Sequence, residues 1–351
     1  MMKPMEVGIL GATGMVGQHF IRFLEGHPWF RLTWLGASDR SAGKKFREAT
    51  SWRLDGVMPD ELADIVVSDS KPGNAVPKLL FSAMDAAVAT EIERAFAEAG
   101  HVVVSNSRNH RMEPDVPLLV AEVNPGHLEL VAQQQKNRGW KGMIVTNPNC
   151  STVVLTMALG PLARFGIKRV MAATMQAVSG AGYPGVASMD ILANVIPFIG
   201  GEEEKMQQET QKILGRVENG VALPLEAKVS AHCNRVAVVD GHMVAASVEF
   251  DKRPTLDEAR QAWEEFRGVP QLRRLPSAPE QPVVYMSEAD RPQPRRDAGR
   301  ERGMAVFVGR LRECPVLDLK FIACGHNTIR GAAGAAVLNA ELMVAEGIVR
   351  S

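Results

Sequence analysis

Apolar positions take two textures along the 351-residue chain. Up to residue 146 they form short unbroken runs: "EVGIL", "RLTWLGA", "DIVVS", "KLLFSA", "HVVVSN" and "MIVT". Their length and β-branched content predict strands. Between them, Phe20, Ile21, Phe23 and Leu24 mark one face of a helix, and 86–99 reads as another. Strands alternating with helices predict a parallel, doubly wound sheet. Beyond residue 150 the runs lengthen, as in "RVMAATMQAVSG", "AKVSAHCNRVAVV", "HMVAASVEF", "MAVFVGRL" and "LDLKFIACG", and predict a second, mainly antiparallel sheet. The Pro- and charge-rich stretch 287–303 reads as an exposed loop. "NTIRGAAGAAVLNAELMVAEG" reads as a helix whose small residues imply close packing.

The first turn gives the first sheet a purpose. Gly11, Gly14 and Gly17 follow the first strand at three-residue spacing and open a helix. Glycines there let the backbone approach a pyrophosphate, whose charge sits on the helix N-terminus. The fold expected is therefore α/β, with a Rossmann-type domain over 1–149 completed by a C-terminal helix at 327–351. An α+β catalytic and oligomerisation domain is expected over 150–326. After the second strand comes "SDRSAGKK". Asp39 stands among Ser38, Arg40, Ser41, Lys44 and Lys45, a setting that suits a 2′-phosphate and so NADP over NAD.

Composition removes other functions. Lys+Arg and Asp+Glu both total 40, so the formal charge is zero and nothing calls for nucleic acid or an anionic membrane. No apolar run approaches the ~18 residues of a membrane span, and the N-terminus lacks a signal-peptide core. A cytoplasmic location follows as the expectation. The four cysteines form no C-x-x-C, so no metal site is expected, and reduced thiols are the default.

Of the four, Cys150 in "TNPNCST" is the one placed for chemistry. It starts a helix just after the last strand of the nucleotide-binding sheet. Open helix N–H groups there favour a thiolate, and the carboxyl edge of such a sheet is where ligands bind. A nucleophilic sulfur beside a nicotinamide predicts thioester chemistry linked to hydride transfer. His242 is the best-placed acid/base, because the Asp240-Gly241 turn lets it point into a cleft and titrate near neutrality. His232 and His326 are the other candidates.

"GATGMVG", "SDRSAGKK", "HRMEPDVPLL", "NPNCST", "MQAVSGAGYPGV", "EEEKM", "CNRVAVVDGH" and "HNTIRGAAGA" stand in the order seen in aspartate-semialdehyde dehydrogenases. The chain resembles the branch of that family found in archaea and fungi, over about residues 5–345. The resemblance implies Cys150 as nucleophile, Gln176 orienting the intermediate and His242 as acid/base. It implies Arg235 on the substrate α-carboxylate, Glu202 on its amino group, and Lys205 and Arg111 on phosphate. The cofactor contacts implied are Gly11, Thr13, Gly14, Met15, Val16, Gly17, Ser38, Arg40, Ser41 and Ser82, with Ser179, Gly180, Asn327 and Gly331 on the nicotinamide side. The implied reaction is NADPH-dependent reductive dephosphorylation of L-aspartyl-4-phosphate, in a homodimer or homotetramer. Malonyl-CoA reductase on the same fold, and a catalytically silent NADP-binding regulator, are the competing readings. One departure is Ala121 in "VAEVN", where proline is commoner.

Overall fold

The structure, a computed structural model, describes residues 3–350. The first half runs β1 (Met5–Leu10), α1 (Met15–Leu24), β2 (Phe30–Ala37), β3 (Ser68–Asp69), β4 (Leu79–Ser82), α2 (Ala86–Glu98), β5 (Val102–Ser105), α3 (Leu130–Arg138) and β6 (Met143–Thr146). These strands form one parallel sheet in the order β3-β2-β1-β4-β5-β6. Successive side chains leave on opposite faces, and both faces are covered. Leu79, Phe81, Val102, Val104, Met143 and Val145 enter one core. Leu80, Val103 and Ile144 enter the other, with Trp34, Phe96 and Trp140. Burial on both faces is why these strands read as unbroken apolar runs rather than alternating ones.

One expected strand shrinks. The run "DIVVS" contributes only Ser68 to β3. Its backbone is engaged by the preceding loop instead: Phe46 N–H donates to Ile65 O, and Val67 N–H to Lys44 O. Val66 is consequently exposed.

The second half continues with α4 (Cys150–Leu159), β7 (Ile167–Gln176), α5 (Glu202–Ile213), β8 (Lys228–Arg235), β9 (His242–Phe250), α6 (Leu256–Glu264), β10 (Val283–Met286), β11 (Val306–Glu313), β12 (Leu319–Gly325) and α7 (Gly334–Ala345). The second sheet has the order β8-β7-β9-β12-β11-β10. It is mixed: β8–β7 and β10–β11 are parallel, and the three pairs between them are antiparallel. Along β9 the pattern has period two. Val244, Ala246 and Val248 are buried with Val153, Val154 and Met157 of α4. The intervening Met243, Ala245 and Ser247 stay half-exposed, beside Met171 and Met175 of β7. This sheet thus covers α4 with one face and leaves an apolar face open.

The stretch 287–303 is not simply an exposed loop. Asp297 is buried and accepts from Arg291 Nε at 2.8 Å and Gln293 N–H at 2.6 Å, which folds the charged run onto itself. After a π-turn at Ile329–Ala333, α7 returns to the first sheet, where Ala333, Ala336, Val337, Ala340 and Met343 join its core. Asn339 Nδ2 donates to Asn147 Oδ1 at 2.6 Å and to Leu119 O at 3.0 Å, tying α7 to the segment leading into Cys150. Among the described residues no helix is long and apolar enough to cross a membrane.

Candidate active site

The glycine turn has the shape a dinucleotide phosphate needs. Gly11 lies at φ +76°, and a Cβ on Gly17 would stand 2.5–2.7 Å from the Gly11 and Ala12 backbone, so α1 packs directly on the turn. Gly14, at the N-cap of α1, has nothing nearer than 3.6 Å to a hypothetical Cβ. The first-turn amides of Met15, Val16 and Gly17 have no intrahelical acceptor. An anion fits this opening. Thr13 is half-buried beside it, its carbonyl accepting from Thr50 Oγ1 at 3.0 Å. Ser38 and Arg40 are exposed and Ser41 half-exposed at the end of β2. Ser82 differs from its expected cofactor contact: it is fully buried, and its hydroxyl donates to Glu93 Oε1 at 2.5 Å.

Cys150 is the first residue of α4. Asn149 caps the helix, its Oδ1 accepting from Ser151 N–H at 3.0 Å and Thr152 N–H at 3.2 Å. The thiolate expected at this helix start does not follow. Burial, and then the negative charge of Glu202, push the Cys150 thiol up to about 12, against the opposing charges of Arg111 and Arg235. Desolvation here outweighs the helix end.

Cys150 Sγ lies 3.1 Å from His242 Nε2. His242 is the first residue of β9 and fully buried. Burial, followed by the charges of Arg235 and His326, lowers it to about 3, well away from the neutral range expected. The Ala177 N–H donates to its Nδ1 at 3.1 Å. A nitrogen that accepts carries no proton, so the neutral ring holds its proton on Nε2, facing the sulfur. His326 and His232 do not replace it: His326 Nδ1 contacts Thr328 Oγ1 at 3.2 Å, and His232 is exposed on β8.

Arg235 ends β8 and is nearly buried. Its NH1 donates to Ala177 O at 2.8 Å, so Ala177 holds both the histidine and the arginine. Gly180 fits between them. A Cβ there would stand 2.9 Å from Arg235 NH1 and 3.0 Å from His242 Cε1. Its backbone is not left-handed, so Gly180→Ala should fold and yet displace both groups. A decrease in turnover of about 10–100-fold at nearly unchanged melting temperature is expected; wild-type kinetics would show that neither group is displaced. Asn327 completes this side. Its Oδ1 accepts from Gly241 N–H and its Nδ2 donates to Ser179 Oγ, both at 2.8 Å. Gly331 packs on the nucleophile, with a hypothetical Cβ 2.6 Å from Cys150 Cβ.

Helix α5 closes the other side. Glu202 Oε1 accepts from Lys205 Nζ at 2.7 Å, and Oε2 accepts from Asn149 Nδ2 at 2.8 Å and Gln176 Nε2 at 3.3 Å. Burial alone would raise the Glu202 carboxyl, but Lys205, Asn149 and Gln176 outweigh it and hold it below its usual range. Gln176 is buried at the end of β7, and Thr174 Oγ1 also accepts from its amide at 3.3 Å. Arg111 is 7% exposed; NH1 donates to Glu209 Oε1 at 2.9 Å and NH2 to Asn106 O at 2.8 Å. It is held within a network rather than standing as a free surface cation. Glu209 and the Ala177 amide are not marked by any sequence pattern. Glu209 reads as one more polar position of "EEEKMQQETQKI", and a backbone amide leaves no sequence signal.

A family model described as semialdehyde dehydrogenase, NAD binding domain, matches residues 6–131; a second, described as semialdehyde dehydrogenase, dimerisation domain, matches 159–330. Proteins named aspartate-semialdehyde dehydrogenase from Methanothermobacter thermautotrophicus and Schizosaccharomyces pombe are 54% and 47% identical to this chain. The alignments cover 96% and 98% of it, and 98% and 99% of those proteins. The crystal structure of aspartate semialdehyde dehydrogenase with NADP from Candida albicans is similar at TM-score 0.92 and 44% identity, over 99% of this chain and 100% of that one. Aspartate semialdehyde dehydrogenase II from Vibrio cholerae, complexed with ASA, gives TM-score 0.78 at 28% identity, over 98% and 99% of the two chains.

Proposed function

The chain belongs to the aspartate-semialdehyde dehydrogenase family, and from that premise we propose that Cys150 is the nucleophile through which it reduces L-aspartyl-4-phosphate to L-aspartate 4-semialdehyde. The enzyme serves the pathway to lysine, threonine and methionine, with NADP as its cofactor. The observation that carries the role of Cys150 is its 3.1 Å contact with a His242 whose proton sits on the near nitrogen.

In this reading Arg235 takes the substrate α-carboxylate, since one NH1 bond to Ala177 O leaves the rest of its planar fork available. Glu202, held ionised by Lys205, takes the substrate amino group. Lys205 and Arg111 supply positive charge for the phosphate. Sγ adds to the acyl carbon, the C–O bond to phosphate breaks, and the thiol proton leaves on the phosphate. That route is favoured because Nδ1 of His242 is filled by the Ala177 amide and Nε2 is already protonated. Gln176 and the Nε2–H of His242 hold the carbonyl oxygen as charge develops. NADPH, when bound, supplies the hydride that reduces the resulting thioester. As the aldehyde is released the sulfur leaves as thiolate, held by a hydrogen bond from the His242 Nε2–H, and a proton from solvent restores the thiol.

Gly11, Thr13, Gly14, Met15, Val16 and Gly17 are the residues we assign to the pyrophosphate, and Ser38, Arg40 and Ser41 to the 2′-phosphate. Ser179, Gly180, Asn327 and Gly331 line the nicotinamide side. Arg40→Ala should weaken NADP binding by about 1.5–3 kcal/mol, the size of a charge-assisted hydrogen bond, and leave NAD binding nearly unchanged. Titration with both cofactors checks this, and equal losses would remove Arg40 from selectivity.

The half-exposed sheet face of Met171, Met175, Met243 and Ala245 supports self-association as a homodimer, in a region that matches the dimerisation-domain model. A monomer in sedimentation would overturn that. We assign the enzyme to the cytoplasm, in keeping with four unpaired cysteines; activity confined to a membrane or secreted fraction would contradict it. The defining assay is NADP⁺ reduction with L-aspartate 4-semialdehyde and phosphate. Rapid reduction of malonyl-CoA with none of the semialdehyde activity would reverse the substrate assignment.

A further inference from the structure

Helix α5 carries two buried carboxylates seven residues apart, close to two helical turns, and hence on one face. Glu202 belongs to the site described above. Glu209 has no role in the reaction proposed above, and it is 1% exposed. Its Oε1 accepts from Arg111 NH1 at 2.9 Å. Its Oε2 accepts from the backbone N–H of Asn149 at 2.6 Å. Asn149 is the residue immediately before Cys150, and its side chain is fully engaged as well. Nδ2 donates to Glu202 Oε2, and Oδ1 caps α4 through Ser151 and Thr152. The approach to the nucleophile is thus gripped at its side chain and its amide by two carboxylates of one helix.

We propose that Glu209 is a positioning residue for this reaction, setting the start of α4 beneath Cys150 and the orientation of Arg111 toward the phosphate in one contact. The inference rests on the roles of Cys150 and Arg111 argued above. Its chemistry requires a carboxylate. Two donors arrive from different chain segments, one on each oxygen, and an ionised carboxylate accepts on both. A glutamine of the same size would turn its NH₂ toward one of the two donors. The pairing also binds Arg111: a nearly buried guanidinium that loses its carboxylate is left with an uncompensated charge. The three segments meeting at Glu209 are those that carry Arg111, Cys150 and the Glu202–Lys205 pair, so a displacement at this point reaches all of them. A fold-stabilising ion pair alone would lower the folded fraction without altering how the folded enzyme handles phosphate.

The test is Glu209→Gln, assayed in the oxidative direction with phosphate, semialdehyde and NADP⁺ varied in turn, alongside thermal unfolding. The expected result is a KM for phosphate raised about ten- to hundredfold and a lowered kcat, with KM for NADP⁺ unchanged. Glu209→Asp keeps the charge but is one methylene shorter, and should fall between wild type and Gln. It carries the test if Gln does not fold. A lower melting temperature or active fraction with an unchanged KM for phosphate would overturn the proposal and leave Glu209 a structural ion pair. Cys150→Ser separates the two levels of inference. If that variant is dead while E209Q behaves as wild type toward phosphate, only the role of Glu209 fails. If Cys150→Ser turns over normally, the underlying mechanism fails.

Discussion

Cys150→Ser should lose turnover by about 10⁴–10⁶-fold while binding NADPH with nearly wild-type affinity. Burial and Glu202 already push the thiol up to about 12. A hydroxyl in the same place is less acidic still and a weaker nucleophile, so no usable anion forms. NADPH affinity should persist because the residues assigned to its pyrophosphate and 2′-phosphate, on the glycine turn of α1 and the loop after β2, do not include Cys150. Stopped-assay kinetics and a fluorescence titration of NADPH read the two quantities separately. Turnover within about tenfold of wild type would remove Cys150 from the mechanism. The raised thiol also has a signed consequence in the wild-type protein without ligands. Below about pH 12 only a fraction of Cys150 is thiolate, and that fraction grows as pH rises. Iodoacetamide should therefore alkylate it slowly near neutrality and faster by about tenfold per pH unit up to about pH 10. A plateau at or below about pH 8 would show instead a thiolate stabilised by the helix start.

That contrast separates what local sequence encodes from what the assembled fold decides. The glycine turn, the alternating strands and the position of Cys150 were all legible, because each depends on local chemistry: spacing, apolar runs, a cap before a helix. His242 was legible as a place, since Asp240-Gly241 makes the turn that brings β9 back beside α4. Its protonation was not legible, because burial is a property of the assembled fold. The same limit hid Glu209. The residues of helix α5, "EEEKMQQETQKI", are nearly all polar, yet the helix packs against the segment around Arg111 in the first half of the chain. Lys212 on the same helix donates to the carbonyls of Arg111, Glu113 and Val116 at 2.7–2.9 Å. Such burial satisfies polar groups with partners about a hundred residues away, which no local pattern encodes. The shortened β3 and the folded 287–303 segment failed for a related reason. In both, backbone and charged groups found partners nearby that apolar runs and proline content do not reveal.

His242→Ala should lower turnover by about 10²–10⁴-fold, and its companion His242→Gln should recover part of that loss. An imidazole of ordinary pKa would put an acid limb near pH 6.5. Here burial and the neighbouring charges of Arg235 and His326 lower the group to about 3. A lowered pKa favours the uncharged ring, so protonation of His242 should leave no inflection between about pH 5 and 8 in the wild-type profile. The Ala177 amide reinforces this, because a second ring proton on Nδ1 would point at the N–H that now donates there. The ring then acts through Nε2–H, as a donor to the sulfur at 3.1 Å and to the oxygen that gains charge. Glutamine can present an N–H from a similar reach but cannot take up a proton at neutral pH. A donor role therefore predicts the order wild type, Gln, Ala, with parallel pH profiles in all three. If Gln is as slow as Ala, and the wild-type profile alone shows an inflection near 6.5, then His242 exchanges a proton with the thiol. The neutral Nε2–H assignment would in that case be wrong.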